Sequence, residues 1–413
     1  MNRNMPSRRA QKIAHWVGVH QDELVTFLSK LVAAESPSLD PLLHGEVLRQ
    51  LSEAFQGLGY SVRRLRGRTT AGHLYARPAV RLRHRGYQLV IGHWDTVWPE
   101  GTLRRMPVRI SDGKLHGPGI FDMKAGLAQL IFGLRALQAL KLTPKVRPVV
   151  FIDSDEEIGS RESTRYIKRL ARGADRALVL EPPFGAEGAL TTARKGVGKF
   201  TVRVRGEAAH AGLEPGAGTS AILELSHVIQ KLFTMNDASR GVTVNVGMVD
   251  VGLRPNVVAP ESTAIVDVRV LTSRDAEDLE SRIRGLTAAT PGAALEIEGG
   301  IGRPPMERTL GNRALWGSAR RVGHELGIVL REDTAGGGSD GNTTSLYTPT
   351  LDGLGAVGGG AHAHHEFVYL DRLAERTALL ALLLLEPPLA IGKRPRRRQA
   401  ARGAARQAAV ERT

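Results

Sequence analysis

The sequence predicts an α/β protein: a mostly parallel sheet with helices on both faces, plus an inserted ferredoxin-like α+β unit. Three observations predict it. Short apolar runs at 89–91, 146–152 and 177–180 read as buried strands. Helical patterns at 124–140 and 161–170 separate them, and strand–helix alternation implies parallel pairing with helices on the sheet faces. From about Arg194 the period changes to two: Phe200, Val202 and Val204 alternate with Thr201, Arg203 and Arg205, as in a half-exposed antiparallel strand.

The other elements follow in order. Residues 18–35 have helical spacing, with Leu24, Phe27, Leu28 and Leu31 on one face; 45–56 repeat it, and Gly57 and Gly59 end that helix. After the 200–204 strand come a helix at 219–232, strands at 242–249 and 263–270, a helix at 275–286 and a strand at 294–298. That order, β-α-β-β-α-β, belongs to a ferredoxin-like sandwich. Helical and glycine-rich segments from Gly311 onward resume the first style. The expected organisation is a discontinuous main domain, 1–193 and 304–392, a second domain at 194–303, and a tail at 393–413.

Composition narrows the chemistry. The 413 residues are 42% hydrophobic and 24% charged, as in a globular protein of two domains. There is no cysteine, so any metal must be held by His, Asp and Glu. The net charge is +15, but the last 21 residues carry eight Lys or Arg against one Glu. Almost free of large apolar side chains, that tail reads as disordered and solubilising; contact with anionic polymers is the sharper alternative. No basic motif interleaved with aromatics occurs in the body, so no specific nucleic-acid partner is expected. The longest apolar run, 378–385, falls far short of the roughly 20 residues that span a bilayer. The basic N-terminus continues into an amphipathic pattern without the apolar core of a signal peptide, and the expected location is cytoplasmic.

Polar residues gather where a parallel sheet places its ligand sites, beyond the carboxyl ends of the strands. His93 and Asp95 leave the first run, Asp155, Glu156 and Glu157 the second, and Glu181 the third; Asp122 lies in GPGIFDMKAG, just before a helix. Each piece alone is weak. Together they imply a shared cation, because burying so many carboxylates is prohibitive without one. Carboxylate-plus-imidazole ligation suits zinc.

The pieces LVIGHWDTV (89–97), GPGIFDMKAG (117–126), DSDEEIGS (153–160), LEPP (180–183), GEAAHAG (206–212), RPNVVAP (254–260), DVR (267–269), GRP (302–304), GGGSD (336–340) and GAHAHHEFV (360–368) run in one order along the chain. In that order they resemble the M20 metallopeptidase family. Its members include glutamate carboxypeptidase, acetylornithine deacetylase, succinyl-diaminopimelate desuccinylase and aminoacylase, and GRP and GGGSD are most similar to the first. The resemblance implies two Zn2+ per subunit, with Co2+ or Mn2+ able to replace them. It assigns His93, Asp122, Glu157, Glu181 and His362 as ligands, with Asp122 bridging. His364 and His365 are competitors on residue type, but only His362 has the family's G-x-H context and an acid, Glu366, soon after. Asp95 would orient His93, and Glu156 would be the general base.

The resemblance also makes the second domain a lid and the surface of a homodimer, with His210 reaching the neighbouring subunit's site to stabilise an oxyanion. Asn256 would position substrate, and Arg269 and Arg303, with Gly337, Gly338 and Ser339, would receive its carboxylate. The implied function is hydrolysis of an amide bond next to a free carboxylate, in small peptides or N-acyl amino acids. A deacylase of the acetylornithine or aminoacylase type is the alternative, and a non-catalytic binding protein on the same scaffold the remote one. Trp94 and Trp98 flank the first motif, and either narrow the pocket or fill core.

Overall fold

The computed structural model describes residues 7–80 and 86–389; the basic tail at 393–413 lies outside them. Six strands form the larger sheet, in the order Tyr60–Leu65, His73–Pro78, Arg147–Asp153, Tyr87–His93, Ala174–Val179, Thr350–Leu351. The last four run parallel. The first two form an antiparallel hairpin added at one edge. That hairpin is absent from the sequence reading, because Arg63, Arg64 and Arg77 break up its apolar pattern.

Period-two alternation in the central strands serves two apolar faces at once. Val90, Val150, Ile152 and Leu178 join the larger core cluster, while Leu89, Ile91, Phe151, Ala177 and Val179 pack with Ile167 and Ala171 on the other face. A strand covered on both faces has no polar side to show, so its sequence reads as a continuous apolar run. The helices Ala125–Ala139 and Leu370–Leu385 are buried on nearly every face and pack against each other in the larger cluster. The helix expected at 18–35 is Gln21–Ala33, and a further helix, Arg8–Val19, precedes it. His20 separates them with non-helical backbone, its ring stacked on Trp16 and its Nδ1 2.8 Å from the Trp16 carbonyl.

A second sheet has the antiparallel order Thr243–Val251, Glu261–Val270, Gly196–Arg205, Ala294–Arg303. Helices Ala221–Phe233 and Ser273–Arg284 connect its strands. Each begins at a hydroxyl cap, Ser220 accepting from the Leu223 N–H and Thr272 from that of Asp275. Phe200, Val202, Val266, Val268 and Leu279 centre an apolar cluster of its own. The register slips near the end of the last strand: Ile301 faces Gly198, but Arg303 faces Val197, leaving Gly302 as an extra residue. Ile301 packs against the apolar cluster.

The parallel strands end together. His93 and Asp153 are register partners, and the third strand leads through Leu180 to Glu181. Among the described residues no helix is long and apolar enough to cross a membrane.

Glu162 ties the edge hairpin to the segment after the Asp153 strand. Its carboxylate accepts from the Arg68 and Thr69 N–H groups, both at 2.7 Å, and from the Thr69 and Thr70 hydroxyls. Partial burial works against ionisation, but these donors hold the carboxyl at about 2. A depressed pKa adds stability that is present above the unfolded value, roughly 4.3, and lost as pH falls toward the folded one. Glu162→Gln is therefore expected to flatten the fall in urea midpoint between pH 4.5 and 2; equal slopes in the two proteins would refute the clamp.

Candidate metal centre

Each strand end delivers its side chain to one buried region. His93 is the last residue of its strand and only 1% exposed. Asp122 arrives on an irregular turn between Gly119 and the helix at 125. Gly119 has φ 69°, and a Cβ there would lie 2.3 Å from the Thr96 methyl, so the turn requires glycine. His362 also holds a positive φ, 60°, and is the most exposed of the group.

The two oxygens of Asp122 face different partners. Oδ1 is 3.2 Å from His93 Nε2, which is 3.7 Å from Glu181 Oε1. Oδ2 is 3.6 Å from His362 Nε2, which is 3.1 Å from Glu157 Oε2. One carboxylate thus stands between an imidazole–carboxylate pair on either side. Among the described residues, donor atoms of His93, Asp122 and Glu157 lie within 4.8 Å of one another, and so do those of His93, Glu156 and Glu181.

The electrostatics fit a missing positive charge. Burial pushes Glu181 well above the usual carboxylate range, with Asp122 adding to it. Burial also raises Glu157 to about 7, against the pull of His362. Burial opposes a charged His93, yet Asp122 and Asp95 hold its ring well above the ordinary histidine range. His362 rises to about 9, chiefly through its bond to Glu157. The donor set of two His and three carboxylates suits a borderline divalent cation.

Asp95 does more than face His93. Its Oδ1 is 3.5 Å from His93 Nδ1, which lies nearer, at 3.0 Å, to the Asp95 carbonyl. The carboxylate accepts from the Ser38 hydroxyl and from the N–H groups of Glu156 and Glu157, at 3.3 and 3.2 Å. It therefore sets the backbone carrying both glutamates. Glu366 plays a similar part. Buried, it accepts from the N–H groups of Gly119, Phe121 and Asp122 and from the Trp98 indole, joining three distant segments. His364 is exposed, its ring tilted against Trp98 with centroids 5.4 Å apart, and His365 is also exposed. Trp94 is core: it is wholly buried and donates to His44 Nδ1.

Three expected substrate contacts are otherwise engaged. Arg303 donates to the Glu156 carboxylate from Nη1, and from Nη2 to the Glu156 carbonyl at 2.9 Å. Arg269 is paired with Asp267 on its own strand, at 2.8 and 3.0 Å. Ser339 is fully buried, donates to Asp352 at 2.6 Å and caps the short helix Asp340–Ser345. Gly337 and Gly338 remain accessible, and among described residues their N–H groups donate to no backbone or side-chain acceptor. Asn256 and His210 are exposed neighbours on the second sheet's loops, Ala211 N–H donating to the Asn256 carbonyl. No described hydrogen bond or ion pair links His210 to His93, Asp122, Glu157, Glu181 or His362. Arg194 escaped the sequence reading: a buried arginine, it donates to Asp352 at 2.6 Å and to the Gly337 carbonyl at 3.2 Å. Nothing in its ARKG context separates it from a surface arginine.

The profile of peptidase family M20/M25/M40 matches residues 89–386. The chain belongs to this family. It is 27% identical to carboxypeptidase G2 of Pseudomonas sp. (strain RS-16) over 377 residues, 89% of each chain. It is 28% identical to succinyl-diaminopimelate desuccinylase of Acidiphilium cryptum over 342 residues, 78% of this chain and 88% of that one. Among solved structures, aminopeptidase PepT of Bacillus cereus superposes with TM-score 0.75 at 23% identity, covering 88% of this chain and 98% of that one. This M20 protein is thus a metal-dependent peptidase or amidohydrolase.

Metal uptake by this M20 centre should displace protons. Burial raises Glu157 to about 7, so near pH 6 its carboxyl favours the protonated form, and burial shifts Glu181 in the same direction. Adding Zn2+ to metal-free protein in weak buffer should release about one proton or more per ion, and fewer from Glu157→Gln. Release of none, with binding confirmed by calorimetry, would contradict this electrostatic account.

Proposed function

We propose that this M20 protein is a two-zinc hydrolase of the glutamate carboxypeptidase kind, cleaving an amide bond next to a free carboxylate in peptides or N-acyl amino acids. The observation that carries the reading is Asp122, whose two oxygens each face a His–Glu pair. His93 and Glu181 would hold one ion, His362 and Glu157 the other. Zinc there supplies Lewis acidity, which acidifies water and polarises a carbonyl.

The chain's own groups do the rest. Glu156 lies beside the cluster without being needed as a ligand, and takes the proton of the attacking water and passes it to the departing amine. Its adjacency to Glu157 is workable because Asp95 holds both N–H groups, so the two side chains leave a fixed backbone in different directions. Since Arg303 is committed to Glu156, the substrate carboxylate falls to Arg194 and the N–H groups of Gly337 and Gly338. No described residue accepts from Arg194 Nη2, and Glu181 and Glu156 act on its charge across the site.

His210 Nδ1 accepts from the N–H groups of Gly212 and Leu213, so a neutral ring carries its proton on Nε2, as an oxyanion donor requires. With no link to the ligands of its own chain, it serves a second copy, and the second domain acts as lid and dimer surface. The edge strand Thr243–Val251 supports this, exposing Met248, Val249 and Val251 along an unpaired rim. The desuccinylase relative favours a second reading, an N-acyl amino acid deacylase with the same metals and a different pocket.

A hydrolysis panel of zinc-loaded enzyme on N-acyl amino acids, dipeptides and folate-like glutamates tests the reading. Substrates with a free carboxylate should be cleaved and their amides spared. Glu156→Ala should keep both metals yet lose about 10²–10⁴ in kcat. No turnover anywhere, with two metals present, would sink it.

A further inference from the structure

Ser160 takes no part in the chemistry proposed above, yet it sits between two charged groups beside it. The residue is 1% exposed, on left-handed backbone with φ 52°, at the end of the segment that carries Glu156 and Glu157. Its hydroxyl donates to Asp340 Oδ1 at 2.6 Å. That leaves a lone pair for Arg303 Nη2, 2.8 Å away. The same nitrogen donates to the Glu156 carbonyl at 2.9 Å, and Nη1 donates to the Glu156 carboxylate.

One guanidinium therefore grips the main chain and the side chain of a single residue, and Ser160 fixes its outer edge. The peptide unit before Glu156 is held through its N–H by Asp95, and the one after it through its carbonyl by Arg303. Both flanks being fixed, the side chain has one direction left to take. Asp340 is itself buried as the first residue of its short helix, so the acceptor that orients the Ser160 hydroxyl does not wander. A long arginine without such an anchor would lose rotamer freedom at each turnover to recover its place.

We infer that Ser160, oriented by Asp340, is a positioning residue for Glu156, acting through Arg303, and that Arg303 serves the base and not the substrate carboxylate. The inference rests on the reading of Glu156 as general base. It adds a three-residue support, Asp340–Ser160–Arg303, that neither residue type nor spacing announces.

Ser160→Ala in the zinc-loaded full chain tests it, using the substrate turned over fastest in the panel. Alanine shares serine's tolerance of this backbone, so the change removes only the hydroxyl. We expect kcat to fall about 10- to 100-fold, the scale of a misplaced catalytic group, with KM within about twofold. Zinc content by mass spectrometry should be unchanged. Arg303→Lys should show the same split, and the double variant should be no worse than Arg303→Lys alone. A rise in KM at constant kcat would overturn the inference, because Arg303 would then be acting on substrate. Additive losses, or full activity in Ser160→Ala, would also overturn it. Should Ser160→Ala fold poorly, Ser160→Gly relaxes the backbone and still lacks the hydroxyl, so the same kcat loss is expected and full activity refutes it. Glu156→Ala separates the two ideas: if it stays active the base reading fails, whereas an inactive Glu156→Ala beside an active Ser160→Ala sinks only the support.

Discussion

Five acidic side chains, Asp95, Asp122, Glu156, Glu157 and Glu181, crowd the carboxyl ends of the parallel strands, where water reaches them poorly. Unpaired, each would cost several kcal/mol to bury ionised. The surroundings are arranged around that repulsion. Backbone N–H groups converge on Asp95, imidazoles stand on either side of Asp122, and a guanidinium covers Glu156. Burial still raises Glu157 and Glu181, the direction expected where carboxylates outnumber the positive groups around them.

Glu366 shows how such a centre is assembled from distant pieces. Its carboxylate collects three backbone donors from the Asp122 turn and the indole of Trp98, while it follows His362 by four residues. The segment that carries His362 is thereby fastened to the turn that carries Asp122. Removing the acid would strand several donors in a buried place, where each unsatisfied one costs about 1–3 kcal/mol.

The fold was legible where the pattern had one physical cause. Runs such as 89–91 and 146–152 read as buried strands because both faces of the sheet are covered, and the clustered acids and His93 read as a group because strand ends gather them. The edge hairpin stayed hidden because half-exposed arginine-rich strands carry no periodic signal. At the site, residue type named Arg269, Arg303 and Ser339 as substrate contacts, but type cannot say which partner lies nearest. Within the chain their partners are Asp267, Glu156 and Asp352. Arg194 and Ser160 carry no signal in the sequence, since only burial separates them from ordinary surface residues.

The slip of register at Gly302 has a further bearing on that arginine. In an even strand Ile301 and Arg303, two apart, would project to the same side, and the arginine would follow the isoleucine under the helices. Here Arg303 stands opposite Val197, and its chain passes close to Gly338 on the same side as that valine. A residue with no side chain thus decides which of two compartments an arginine enters. Transplanted into a regular strand, the same tripeptide would point its charge at a hydrophobic interior, and Glu156 would lose its guanidinium partner with every residue still present in the sequence.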